Sequence, residues 1–198
     1  MIGQFTDRMA TWSASPPTAT RLRAGRIPLA GFSLHDHDRA VTTETRLRRS
    51  DDLDACVAAL AAVHARAGYP SNWPADPAAW LSPTGTIHAW IAVAGGRIVG
   101  HALIRDLAGS TELARLFVVP QAHGQGIAGD LLSMAYAWAD AHAVDLTLEV
   151  NTDLAAAIRR YEKDGWVQLD ETVADWTGPH DETVILRRYT RISADHRR

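Results

Sequence analysis

The feature that most constrains this chain is a junction. The apolar run ELARLFVV breaks at Pro120 into the loop QAHGQG and reopens as IAGDLLSMAYAW, whose Ile127, Leu131, Ala135 and Trp138 recur at helical spacing. A strand that feeds a helix through paired glycines commits the chain to an α/β class of fold. It also exposes unsatisfied N–H groups at the helix start, where anions bind. The loop contains Gly124-Gln-Gly126-Ile-Ala-Gly129, a literal G-x-G-x-x-G, and Glu149 lies 20 residues beyond Gly129, where a ribose-binding acid of a dinucleotide fold would stand. Two observations oppose that reading. Pro120-Gln-Ala-His intervenes before the first glycine, and too little chain follows Glu149 to complete a doubly wound sheet.

The rest of the chain supplies the other elements. TETRLRR reads as a strand, and a helix from Ser50 carries Leu53, Val57, Leu60 and Val63 on one face and stops at Gly68. YPSNWPADPAAWLSP holds four of the nine prolines and two of the seven tryptophans, so it is a connector or short helix, with Asp76-Pro77 as a cap and first-turn pair. IHAWIAVAGGRIVGHALIR reads as a hairpin turning at Gly95-Gly96. After the glycine helix come the strand LTLEV and a helix capped at Asp153 that buries Leu154, Ala157, Ile158 and Tyr161 and ends at Gly165. Strands at 166–169 and 183–189 close the order.

Residues 1–40 show neither alternation nor a helical stripe and read as a flexible leader before a domain at 41–192 and a tail at 193–198. Lys163 is the only lysine among 20 basic residues, a bias of GC-rich coding in which GUG starts are common. Val41 as a start and a genuine leader therefore both stand. A net charge of −3 gives no footprint for nucleic acid, and no window has the ~20 apolar residues of a membrane span. The single cysteine, Cys56, excludes an internal disulfide and reads as a core residue, so a cytoplasmic location is expected. His35 and His37 form a metal pattern without further ligands, and no metal is expected.

ELARLFVVPQAHGQGIAGDLL resembles the acyl-CoA-binding core of the GNAT superfamily of N-acyltransferases: a strand, an x-Pro, then Arg/Gln-x-x-Gly-x-Gly/Ala opening a helix. LEVNTDLAAAIRRYEKDGW resembles the family's second core segment, with Ala157-Ile158, Tyr161-Glu162 and Gly165-Trp166 at the usual spacing. The element order over 43–189 fits as well. The resemblance implies a mixed, mostly antiparallel sheet of about six to seven strands flanked by helices. It also implies acetyl-CoA as co-substrate and a small-molecule or peptide amine as acceptor, with a homodimer compatible. By resemblance, Leu116, Phe117 and Val118 lie where the strand splays toward pantetheine, and His123, Gly124, Gln125, Gly126, Ile127, Ala128 and Gly129 wrap the pyrophosphate. Leu154 and Ala157 lie along the cofactor, and Tyr161 is the general acid. Glu112 and Glu149 are the candidate bases, through water. The acceptor site is expected from residues 69–80 and the loop near Trp176, with Asp76 more plausible as a cap than as an amine anchor.

The chain departs from the pattern in two places. His123 stands at the Arg/Gln position, the overlapping Gln121-x-x-Gly124-x-Gly126 being out of frame, and Leu154 stands where many relatives carry asparagine, Asn151 being three residues too early. Two other readings stay open: a catalytically silent acyl-CoA-binding module, and a transferase of the same fold using aminoacyl-tRNA, for which a basic surface would be expected.

Overall fold

The computed structural model of the chain describes residues 42–194 and 196. The leader at 1–40, Val41, His35 and His37 lie outside the described residues. Strand β1 (Thr43–Leu47) leads through a 3-10 turn (Ser50–Asp52) into α1 (Leu53–Ala67), which buries Cys56, Ala59, Leu60 and Val63 and ends on Gly68 in the left-handed region. Val57, on the expected stripe, is only half-buried, and Cys56 is fully buried, as expected of a core residue. The connector forms the short α2 (Pro77–Leu81), opened by the Asp76 carboxylate accepting from the Ala79 N–H at 2.9 Å.

β2 (Thr86–Ala94) and β3 (Arg97–Leu107) form the expected hairpin, with Gly95 and Gly96 both at positive φ in the turn. β4 (Ser110–Val118) follows directly, starting two residues earlier than its apolar pattern suggests because Ala108 and Gly109 make a second tight turn. After a 3-10 turn (Pro120–Ala122), α3 (Ile127–Ala141) buries Ile127, Leu131, Leu132, Ala135 and Ala139. Trp138, on the same stripe, is half-buried against the core and stacks on His142, ring centroids 4.2 Å apart.

β5 (Leu146–Asn151) precedes α4 (Ala155–Lys163), whose cap is Leu154 rather than Asp153. The side chain of Asn151 takes the Asp153 N–H (2.9 Å) and its carbonyl takes the Leu154 N–H (2.9 Å), so an Asx turn starts the helix and no aspartate cap is needed. β6 (Val167–Thr177) is far longer than the four residues expected, and pairs with β7 (Thr183–Arg191). Almost all of β6 is exposed, so it carries no inside-outside alternation to read.

The seven strands form one sheet in the order β1-β2-β3-β4-β5-β7-β6, antiparallel throughout except for the β4–β5 pair. This is the mixed, mostly antiparallel sheet that the resemblance implies. Helices cover both faces. A Cβ on Gly100 of β3 would meet Ile127 and Leu131 of α3, whereas the next residue, His101, points oppositely toward Arg48 and the α2 end. Past β7, Ser193 is buried and its N–H donates to Asp145 at 2.8 Å, so packing continues beyond the expected boundary at residue 192. Among the described residues, no helix is long and apolar enough to cross a membrane.

Candidate active site

The sheet opens at its centre. β4 and β5 pair only at Thr111↔Leu146 and Glu112↔Thr147, after which the two strands diverge. The cause lies on the other side of β4. Its register against β3 runs from Leu103↔Ala114 to His101↔Phe117, so β4 carries one extra residue, and Arg115 sits there at φ 55°. Such a bulge bends and twists its strand.

His101 locks the bulge. It is fully buried, with Nδ1 3.0 Å from the Arg115 carbonyl and Nε2 3.1 Å from the Arg48 guanidinium. Because arginine can only donate, Nε2 accepts and Nδ1–H donates to the carbonyl, which fixes one neutral tautomer. Burial pushes the His101 pKa down to about 4, so the arrangement holds through neutral pH. Arg48 also donates to the Leu81 carbonyl (2.6 Å) and to Ser82 Oγ (2.7 Å), tying α2 to the bulge. Nothing in the sequence marks His101, which lies inside an apolar run.

Beyond the bulge, Phe117 is buried with its ring stacked on His101 at 5.5 Å, and Leu116 and Val118 are half-buried. Their backbone on the β5 side has no strand partner. The loop follows, with Gly124 at φ 77° and Gly126, the α3 cap, at φ 84°. A Cβ at either would meet nothing within 4 Å, so glycine is required by backbone conformation and not by crowding. No side chain caps α3, and its first N–H groups are left to the exposed loop of Gly124, Gln125 and Gly126, above buried Ile127 and half-buried Ala128 and Gly129. Gly129 faces α4: a Cβ there would stand 2.9 Å from the guanidinium of Arg160, which Asp164 holds at 2.9 Å. That cation beside the helix start went unread in the sequence. His123, at the departure from the motif, turns back, and its Nε2 stands 2.9 Å from the Val118 carbonyl, donating to it.

Leu154 and Ala157 pack against the core at the start of α4, and Tyr161 one turn further on is 8% exposed. Its ring lies edge-on to Trp166 at 5.8 Å, while the Trp166 indole N–H donates to Tyr136 Oη at 2.7 Å. Burial raises the Tyr161 pKa far above that of a free phenol, and the neighbouring Tyr69 adds to this. Tyr69 is itself pushed up to about 12 by burial, packs edge-on to Trp80 at 6.0 Å, and feels the charges of Arg115 and Glu112.

The two acids come together. Glu112 and Glu149 both border a cavity of about 150 Å³ between β4, β5 and β7, with Thr147 and Arg188 on its wall. Glu112 is buried and ion-paired to Arg105. Glu149 keeps a solvent-facing side, yet the packing around its carboxyl, and secondly the charge of Glu112, raise its pKa. Around this centre the two expected acceptor segments touch: Asn72 Nδ2 donates to the Thr177 carbonyl at 2.8 Å. Asp76 does not point into that space as an anchor, because its carboxylate is spent on the α2 cap.

Comparison with known proteins agrees with this geometry. No curated protein sequence matches the chain. Solved structures that superpose on it include the ribosomal-protein-S18-alanine N-acetyltransferase of Escherichia coli, at 19% identity and TM-score 0.64 over 77% of this chain and 95% of that one. The ribosomal-protein-alanine N-acetyltransferase of Brucella melitensis gives 23% and 0.61 over 75% and 99%. An acetyltransferase of Salmonella typhimurium, solved with its cofactor acetyl-CoA, gives 18% and 0.63 over 78% and 95%. At these identities the likeness is one of fold. The sequence itself carries the closer tie: the acetyltransferase (GNAT) domain matches residues 76–176, half of the chain, from the α2 cap through the bulged strand, the glycine loop and Tyr161 into β6, and the chain belongs to that family of N-acetyltransferases.

Proposed function

We propose that this chain transfers an acetyl group from acetyl-CoA to a primary amine by direct attack. The observation that carries the reading is the splay of β4 from β5 directly above a loop with two obligatory positive-φ glycines and an uncapped helix start. When bound, acetyl-CoA supplies the thioester carbonyl and the thiolate leaving group. The backbone of Leu116, Phe117 and Val118 on the open side of β4 offers hydrogen bonds to pantetheine. Within the loop from His123 to Gly129, the amides between Gly124 and Ala128 hold the pyrophosphate, helped by the charge of Arg160. Leu154, at the asparagine position, offers contact area without a side-chain hydrogen bond.

The chain's own acids and phenol handle the protons. Glu149, with a raised pKa beside Glu112, takes the proton of an incoming ammonium through water, leaving the amine neutral. Tyr161, protonated at every working pH, gives a proton to the departing thiolate and takes in its place the second proton that the nitrogen loses as the amide forms. The superposed N-acetyltransferases named for a ribosomal-protein alanine make a peptide amine one candidate acceptor, and a small molecule the other.

The test is to quantify free CoA thiol and N-acetylated product in parallel over amino acids, peptides, polyamines and aminoglycosides. Equal amounts of the two are expected with at least one class. Thiol without amide would mean hydrolysis, and acetyl-CoA binding without either would mean a silent binding module.

A further inference from the structure

Arg115 is a cation seated on an aromatic ring. Its guanidinium lies over the Trp80 ring at 3.9 Å and its Nε donates to the Trp80 carbonyl at 3.2 Å. No carboxylate pairs with it among the described residues. The acid closest to it along the strand, Glu112, is taken by Arg105. A half-buried guanidinium that has lost water without gaining a carboxylate is costly, and burial lowers its pKa accordingly. The backbone adds to that cost, since a non-glycine residue at φ 55° is strained. Both costs fall on the residue that the bulge turns toward α2.

Its position says what the charge faces. Glu112, Thr147 and Glu149 share one face of the sheet by register, and Arg115 reaches Trp80 of α2 on that face. Trp80 also carries Tyr69 edge-on at 6.0 Å, so the guanidinium, the indole and the Tyr69 ring form one cluster beside the strand that carries Glu112. With one edge spent on the Trp80 carbonyl, the two terminal nitrogens remain as a planar fork. A carboxylate matches such a fork with two parallel hydrogen bonds.

We infer that the acceptor carries a carboxylate close to its amine, and that Arg115 binds it and so holds the amine toward Glu112 and Glu149. The inference rests on the acetyltransferase reading above and names its substrate class. Amino acids with a free α-carboxyl group fit it. Polyamines, aminoglycosides and amines without an acid do not.

The experiment compares the proteinogenic amino acids with their carboxamides as acceptors, on the full chain and on Arg115→Met and Arg115→Lys. Methionine keeps the stem's bulk at the same backbone strain, and lysine keeps the charge without the fork. For the unsubstituted chain the acids should be acetylated at least about ten-fold more efficiently than the amides, through KM. In Arg115→Met that preference should vanish, with the KM for acetyl-CoA unchanged; Arg115→Lys should fall between. Acids and amides turned over equally, or only amines lacking an acid turned over, would overturn the proposal. So would a kcat loss in Arg115→Met that is the same for every acceptor, which would place the guanidinium on the thioester instead. Failure to bind acetyl-CoA at all would instead overturn the reading beneath it. Calorimetric titration of the acid and its amide into the CoA complex gives the same comparison without turnover.

Discussion

Burial leaves a Tyr161 phenolate without solvent, so the ring keeps its proton, the state that the proposed role of general acid needs. Tyr161→Phe should therefore lower kcat roughly a hundred-fold while leaving the KM for acetyl-CoA within about two-fold, since the ring still packs on Trp166. Steady-state kinetics at saturating acceptor read this, and an unchanged kcat would make the ring a packing residue. The acids carry a sign that can be checked. Packing and the Glu112 charge both raise the Glu149 pKa, so the rate should fall as pH drops through that raised value. Glu112→Gln removes one negative charge, so Glu149 should ionise at lower pH and the acid limb of kcat/KM should move down. A collapse of activity at every pH would make Glu112 the base. At this scale the sequence was legible where a residue type has one use. The positive-φ turn residues Gly124 and Gly126 are legible from spacing, and resemblance and strand position offer Tyr161, Glu112 and Glu149 as candidates, of which the fold brings the two acids to one cavity. The placements of His101, Arg115 and Arg160 are not legible, because they arise from a bulge and from a neighbouring helix that sequence spacing does not encode. His123 was visible as a departure, but the direction of its ring was not.

Among the elements, those with a buried stripe and a glycine stop were readable, and the exposed ones were not. α1 and α3 follow their apolar spacing, whereas β6 has almost no buried side and its pattern shows only about a third of its length. The sequence pattern points to Asp153 as the α4 cap, but Asn151 at the strand end opens the turn first. The short α2 depends on its cap more than a long helix would, as it has few intrahelical bonds of its own. Asp76→Ala should lower stability by about 1 kcal/mol, read as a lower denaturation midpoint at constant m-value. It should also loosen Trp80, and with it the seat of Arg115, so acceptor KM should rise more than the KM for acetyl-CoA. Equal rises in both would separate α2 from the acceptor side.

At the level of the whole molecule, a single irregularity joins fold to function. A sheet built almost wholly of antiparallel neighbours would close without a gap. One parallel pair that lasts two residues, beside a strand bulged at Arg115 and pinned by His101, leaves an opening above the glycine loop. The order of elements could be derived from the sequence, but the splay could not, because it depends on register across β3 and β4. That opening and the loop below it are the proposed seat of acetyl-CoA. Calorimetric titration of acetyl-CoA into the full chain, with NAD titrated in parallel, tests it most directly. Saturable binding of one acetyl-CoA per chain and no heat of binding with NAD are expected. Equal binding of NAD, or no binding of acetyl-CoA at millimolar concentration, would contradict it.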